Sequence, residues 1–415
     1  MERAADVPHV VVMVTTSYPR FPGDSVGTFM EPIARSVAAR GHEVHIVAPW
    51  HPLVTRPAEE HGVRFHFYRY APVRSLNVFG YAAAMRADVS LRSAAYIAAP
   101  LALAAGWRTA RRVARQHRAT VMHGHWVIPG GITAALAAPQ LPLVISLHGS
   151  DVYVAERLSP ARAAARRAFG SAGYVTACSD DLARRAIAIG AAPDRIETVP
   201  YGVDTSRFGP NVEARSARRR ELGIDSATPL CFAAGRLVHK KGFEYLIDAV
   251  ADVPGLVLAI AGDGTLNEAL HARAAARGVA ERVRFLGDQL QDRVGEFFAA
   301  ADIICAPSIR DDSGNVDGLP NVVLEAMASG TPLVTTAAGG IGAVIEAGRT
   351  GLIVPERDPG AIAGAIRELL DHPGRAREIG AAARREVDRR FGWDRAAARF
   401  EAGYDRALAF RLLPS

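Results

Sequence analysis

The sequence predicts an α/β chain built of two doubly wound parallel sheets, and three observations carry that prediction. Runs of β-branched residues alternate with stretches of helical period along the chain, beginning with 9–16 and 29–40, and this alternation builds parallel strand–helix–strand units. The pattern stops at PYGVDTSRFGP, punctuated by Pro200, Gly202, Gly209 and Pro210, and starts afresh at Leu230. The length of 415 residues exceeds what one ordinary core holds. The expected parts are a first domain over 1–203, a second over 204–388 and a last helical segment over 389–415.

In order, 9–16 reads as a strand and 17–27 as a turn-rich loop containing Gly23 and Gly27. Residues 29–40 read as a helix ended by Gly41, and 43–48 as the next strand. No GxGxxG accompanies the first loop, so a nicotinamide site is not indicated. Residues 80–118 read as helix with an interruption at Pro100. The strand over 120–125 ends in HGHW, where His123 and His125 face one side as a metal pair would. No third ligand stands near them, and polar lining or satisfied core histidines is the favoured reading. The buried run 143–147 leads into HGSD. Ligand groups in open α/β sheets lie beyond the carboxyl ends of strands, which is where His148 falls. Asp151 suits either a helix cap or an acceptor contact. A strand at 174–177, a helix at 180–189 and a strand at 196–200 close the first domain. Strands at 230–234, 256–261, 283–286, 303–306 and 333–335, with helices between, make the second, and 389 onward is helical.

Composition narrows the function classes. Near half of the residues are hydrophobic, as in a globular protein. The first apolar run, Val10 to Val14, follows Glu2, Arg3 and Asp6 and is too short for a signal core, so no targeting segment is expected. The weakly polar stretch 94–107 is too short to span a bilayer. Cys178, Cys231 and Cys305 are odd in number and widely spaced, which indicates neither a disulfide framework nor a zinc cluster and fits a reducing cytoplasm. The net charge of +6 is uneven, because the first 200 residues carry 22 Arg against 14 acids. Arg108, Arg111, Arg112 and Arg115 fall at helical spacing, and Arg157, Arg162, Arg166 and Arg167 form a second cluster. No nucleic-acid motif accompanies them. A solvated helix face and contact with an anionic membrane or lipid diphosphate both remain open.

Two stretches carry chemistry. In GRLVHKKG, from Gly235 to Gly242, Arg236 and Lys241 can converge on one anion, the first bidentately and the second as a compact charge. The chain contains 47 Arg and only two Lys, Lys240 and Lys241, both inside this loop. In the stretch 311–340, Asp317 and Glu325 stand eight positions apart across Gly318, Leu319, Pro320 and Asn321. A helix over 321–329 would start at Pro320 or Asn321 and stop at Gly330. Its first turn offers N–H groups and a positive dipole end to a phosphate, with the two acids bracketing the ligand. The loop AGDGT with Gly262, Asp263 and Gly264 is explained by turn chemistry alone.

These motifs, in this order, resemble the family-four retaining, nucleotide-sugar-dependent glycosyltransferases (glycosyl transferases group 1), of the kind that builds bacterial cell-surface polysaccharide. The resemblance covers nearly the whole chain. It implies the glycosyltransferase-B (GT-B) fold, two Rossmann-like domains facing across a cleft with the last helix crossing back to the first domain. By resemblance, the first loop with Gly27 closes over the donor diphosphate and His148 contacts the transferred sugar. Gly235, Arg236 and Lys241 form the diphosphate clamp, and the turn from Gly318 through Leu319 and Pro320 to Asn321 holds the donor. Glu325 then binds the ribose hydroxyls and Asp317 the sugar hydroxyls. The family usually has Glu where Asp317 stands, and Pro-Glu where Gly342 and Ala343 stand, so that Glu is absent or moved to Glu346.

The implied reaction moves a hexose from a nucleoside-diphosphate sugar, UDP before GDP, to a hydroxyl acceptor, lipid-linked or polysaccharide. The clamp takes the place of a divalent metal, no Asp-any-Asp metal motif occurs, and no cofactor is expected because the nucleotide-sugar is a co-substrate. The expected location is the cytoplasm, with peripheral contact at the inner face of the membrane. Three rivals stay open: an epimerase or hydrolase acting on nucleotide-sugars in the same fold, a phosphorylase, which would need a lysine for its cofactor, and a catalytically silent nucleotide-sugar-binding protein.

Overall fold

The structure is a computed structural model and describes residues 7–24, 26–71, 77, 80, 85–87, 90, 91 and 93–412. Glu2, Arg3 and Asp6, on which the expected lack of a targeting segment partly rests, lie outside the described residues, as does part of the helix expected over 80–118. The chain divides into two compact units, 1–200 with 393–415, and 201–392.

The first unit is built on β1 (Val10–Val14), β2 (Glu43–Pro49), β3 (Glu59–Glu60), β4 (Val63–Tyr68), β5 (Met85–Ala87), β6 (Ser90–Leu91), β7 (Val121–His125), β8 (Leu143–Leu147), β9 (Tyr174–Ala177) and β10 (Ile196–Thr198). Eight of them form one sheet in the order β10-β9-β8-β7-β1-β2-β4-β3. It is parallel except where β3 turns back on β4. The central strands are buried on both faces, which is why they read as continuous apolar runs and not as alternating ones. The helix Met30–Ala39 buries Met30, Ile33, Ala34 and Val37, one face at helical spacing.

Two expectations change here. Residues 85–87 and 90–91 contribute an antiparallel pair, β5 with β6, where helix was expected. The helix Ser93–Gln116 runs through Pro100 without a break. Proline removes one hydrogen bond, but its Ala- and Leu-rich flanks are strong helix formers and carry the segment through. At the other end of the chain, helix Pro373–Arg390 includes Arg389 and Arg390, so the last helix begins at Trp393. Buried Phe391 sits in the break between them. The last helix, Trp393–Leu412, sets Ala397, Phe400 and Tyr404 into the same core as Val11, Met13 and Val121. Gly403 is where it passes Tyr174, and any side chain there would collide with that ring.

The second unit carries β11 (Leu230–Ala234), β12 (Val257–Ala261), β13 (Val283–Phe285), β14 (Ile303–Ala306), β15 (Leu333–Thr335) and β16 (Leu352–Ile353). Their order, β13-β12-β11-β14-β15-β16, is that of a doubly wound sheet, with every pair parallel. The winding reverses between β11 and β14, and between β1 and β7 in the first unit. Loops leaving the carboxyl ends of those strands diverge and leave a crevice, which is the general ligand position of such sheets.

Candidate active site

The loop after β11 is held by its backbone. Gly235 N–H donates to the Ala261 carbonyl and Leu237 N–H to that of Asp263, each at 2.9 Å, so the chain continues briefly alongside the loop that follows β12. It then winds into a short 3₁₀ turn, His239–Lys241, closed by Lys241 N–H on the Val238 carbonyl at 3.0 Å. Gly242 has φ +67°, and a Cβ there would run into the Pro307 carbonyl. Only glycine permits this approach, which seats the lysine turn directly on the loop that leaves β14. The Ile309 N–H donates to the Lys240 carbonyl at 2.9 Å and fastens the two loops together.

That second loop is stiffened by Asp311, whose carboxylate accepts the N–H groups of Ser313 and Asn315, each at 2.9 Å. It brings Asp317 beneath the lysine turn. Lys240 Nζ lies 3.0 Å from one carboxylate oxygen of Asp317 and Lys241 Nζ 2.6 Å from the other. Burial alone would raise the Asp317 carboxyl, but the two ammonium groups override it and hold the acid far below the usual carboxylate range. On the other side, Gly339, at φ +61°, packs where a Cβ would meet the Asp317 carbonyl, which accounts for the first glycine of the pair at 339–340.

From Asp317 the chain passes Gly318 and the buried Leu319 and Pro320 into the helix Asn321–Ser329, ended by Gly330 in the left-handed conformation. Pro320 is the N-cap and no side chain caps the first turn. Val323 N–H already donates to the Pro320 carbonyl at 3.1 Å, so the end offers the Asn321 and Val322 N–H groups and its positive dipole to an anion. Glu325, one turn inside, is half-buried. Burial pushes its carboxyl up to about 7, against the opposing pull of Lys241 and Arg207.

Among the expected residues of this unit, the structure gathers Gly235, Lys241, Asp317, Gly318 and Glu325 around one crevice, with the Lys241 Cε 3.2 Å from where a Gly235 Cβ would stand. Arg236 is on the same loop but exposed. Glu346 is exposed and ion-paired with Arg349 at 2.5 Å, and nothing places it in the crevice. Lys240 was not assigned by the sequence reading, although it is buried and shares Asp317. The signal for it was the adjacency of the only two lysines.

Gly27 and His148 belong to the first unit. Gly27 has φ +67° and its carbonyl accepts the first N–H of helix Met30–Ala39 at 2.9 Å. His148 is packed against Phe29 and Trp126, ring centroids 4.7 and 4.6 Å away. Its Nε2 is 3.1 Å from His125 Nδ1. Burial, with His123 nearby, pushes the His148 ring down to about 3, so it is neutral. His123 is satisfied in the core by Ser146 at 2.8 Å and Tyr404 at 3.0 Å, not aimed at a ligand. Asp151 accepts from Val127 N–H at 2.7 Å and Gly149 N–H at 3.0 Å. It is therefore a buried tie between the His125 and His148 loops.

Comparison with known proteins identifies the family and the fold. The family model for glycosyl transferases group 1 matches residues 214–386 and that for glycosyltransferase family 4 matches 26–207. A Mycolicibacterium smegmatis protein named GDP-mannose-dependent α-(1-6)-phosphatidylinositol monomannoside mannosyltransferase is 36% identical over 58% of this chain and 64% of its own length, just under two thirds. Its Mycobacterium tuberculosis namesake is 35% identical over 64% of this chain and 71% of its own. A D-inositol 3-phosphate glycosyltransferase of Acidothermus cellulolyticus is 35% identical over 70% of this chain and 68% of its own. Among solved structures, Anabaena HepE in complex with UDP superposes with a TM-score of 0.74 at 20% identity, covering 94% of this chain and 98% of its own. Sucrose-phosphate synthase from Thermosynechococcus elongatus gives 0.77 at 19% identity, covering 96% and 99%. Such identities show the fold alone. The chain belongs to the family-four glycosyltransferases and has their GT-B fold, two doubly wound parallel sheets in two units.

Proposed function

We propose that the protein transfers a hexose from a nucleoside-diphosphate sugar to a hydroxyl acceptor, with retention of configuration and without a divalent metal. One observation carries the reading: two ammonium groups and an uncapped helix N-terminus meet at the reversal point of the second sheet. Breaking the glycosidic bond places a growing negative charge on the departing diphosphate. Lys241, Lys240 and the first-turn N–H groups of helix Asn321–Ser329 are the groups that meet it, fixed in place before the reaction begins, with exposed Arg236 on the same loop. Turnover is expected to be unchanged in EDTA at saturating donor, and a loss restored by Mg²⁺ or Mn²⁺ would refute the metal-free reading.

Retention fits attack on the face that the diphosphate leaves, with the phosphate taking the acceptor's proton. No strong base is then needed. His148, held neutral, is read as a hydrogen-bonding group. Anomeric configuration of the product by NMR tests this, and an inverted product rejects it.

Glu325 is assigned to the donor ribose. In the free protein it ionises near pH 7. Hydroxyls donate to the ionised form, so binding favours the carboxylate and releases a proton below that value. Donor affinity is therefore expected to fall by up to about tenfold per pH unit as pH drops below 7, and to level off above it. Glu325→Gln is expected to bind more weakly with a flat profile. Calorimetry from pH 5.5 to 8.5 checks both, and unchanged affinity in the variant ends the ribose assignment.

The donor is read as a GDP-sugar, mannose first, in place of the UDP expected from the sequence, because relatives at 35–36% identity are named for GDP-mannose. A turnover panel of GDP-mannose, UDP-glucose and UDP-N-acetylglucosamine decides it. The acceptor is read as lipid-linked and anionic. On helix Ser93–Gln116, exposed Leu101 shares a face with exposed Arg108, Arg112 and Arg115, a basic face with an apolar edge suited to an anionic bilayer surface. No helix among the described residues is long and apolar enough to cross a membrane. Cosedimentation with phosphatidylglycerol vesicles is expected at low salt. It should be largely lost in Arg108→Glu/Arg112→Glu, and binding that persists in that variant would place the contact elsewhere.

A further inference from the structure

Away from the crevice loops, three imidazoles converge on the first unit. His45 lies on β2 and His66 on β4, whose register pairs His45 with Arg64 and Val47 with His66. His117 follows the end of helix Ser93–Gln116. His45 Nδ1 is 3.0 Å from His66 Nε2, and one ring nitrogen from each of the three residues lies within 4.8 Å of the others. The His45 and His117 ring centroids are 4.1 Å apart. Donor nitrogens around a four-coordinate ion at about 2.0–2.1 Å stand about 3.3 Å from one another, so small ring rotations separate the close pair and draw in the third.

The surroundings complete the pattern. Glu43 Oε1 lies 3.0 Å from His45 Nε2, so that nitrogen carries the proton and Nδ1 turns its lone pair towards the other rings. Glu43 in turn accepts from Arg64, which also pairs with Glu59 at 2.9 Å. His45 is fully buried, whereas His117 keeps 20% of its side chain exposed, which gives an ion a way in and leaves one position for water. The charged groups facing the cluster are Glu43, Arg64 and Arg112, with Glu59 behind Arg64. Two rings would satisfy one another through a single hydrogen bond, and the third has no part in that bond.

We propose that His45, His66 and His117 form a site for one divalent transition-metal ion that prefers imidazole, zinc above all, with Glu43 orienting His45. The three ligands come from two strands and the end of a helix. A bound ion therefore fastens the carboxyl end of helix Ser93–Gln116 to β2 and β4 and takes no part in glycosyl transfer. Binding requires His66 to move its proton from Nε2 to Nδ1, and no net proton is released.

The test uses the full chain, stripped of metal by a chelator and titrated with Co²⁺. Ligand-field absorption in the visible, saturating at one equivalent and erased by Zn²⁺, is the expected result, with a higher melting temperature in Zn²⁺. His117→Gln, at the partly exposed position, should melt as the wild type does without metal and lose both responses. Glu43→Gln should bind about 10–100-fold more weakly. Glycosyl transfer should persist in His117→Gln. Absence of the cobalt bands in the wild type, or their survival in His117→Gln, overturns the proposal.

Discussion

Lys241→Ala is expected to lose at least ~10²-fold in turnover, the scale of deleting one fixed group that stabilises developing charge. The side chain lies under Gly235, with its ammonium 2.6 Å from Asp317, so it is already oriented when the diphosphate arrives. Lys241→Arg is expected to recover little, because a planar fork does not fit beneath Gly235 and cannot present a compact charge. Steady-state and single-turnover rates check this. A Lys241→Ala enzyme with near-normal rates would mean that the charge is met elsewhere, with exposed Arg236 the next candidate.

Asp317→Asn is expected to destabilise the second unit by about 3–5 kcal/mol, the usual cost of removing one partner from a buried ion pair. Lys240 is 6% exposed and has its ammonium 3.0 Å from the lost charge, so it cannot turn to water without moving its loop. For a unit of this size, the melting temperature should fall by about 10 °C. Lys240→Met in the same background should regain part of that, since only one ammonium then stays uncompensated. Calorimetric melting of the single and double variants measures it. If Asp317→Asn melts like the wild type, the pair contributes nothing to folding.

Much of the second sheet was legible because its breakers are explicit. Pro320 and Gly330 bound helix Asn321–Ser329 as their chemistry requires, and β11 and β14 are continuous apolar runs. The pairing of Lys240 with Asp317 was not legible. A loop reading fixes no side-chain directions, so nothing in the sequence aimed both adjacent lysines at one carboxylate. In the 3₁₀ turn they are only about 120° apart, and both reach one carboxylate. The histidine trio escaped for another reason: its members are separated by 21 and 51 positions and meet only through strand register and the length of one helix. The β5–β6 pair is local, between residues three to six apart, but the Ala-rich sequence around it favours helix and hides it.

The carboxylate between the two lysines also sets a threshold for what can enter. If the donor diphosphate binds these lysines as proposed, Asp317 would act as an internal competitor, paired with both ammonium groups in the free protein. A small anion such as inorganic phosphate or sulfate must displace it with one group's worth of charge and gains nothing further. On the proposed function, a nucleotide-sugar would bring two linked phosphates to the same cations and helix end and anchor its ribose one turn away. The resting protein would then be selective before any sugar is read, because only a ligand that binds at several points at once would displace the aspartate already in place.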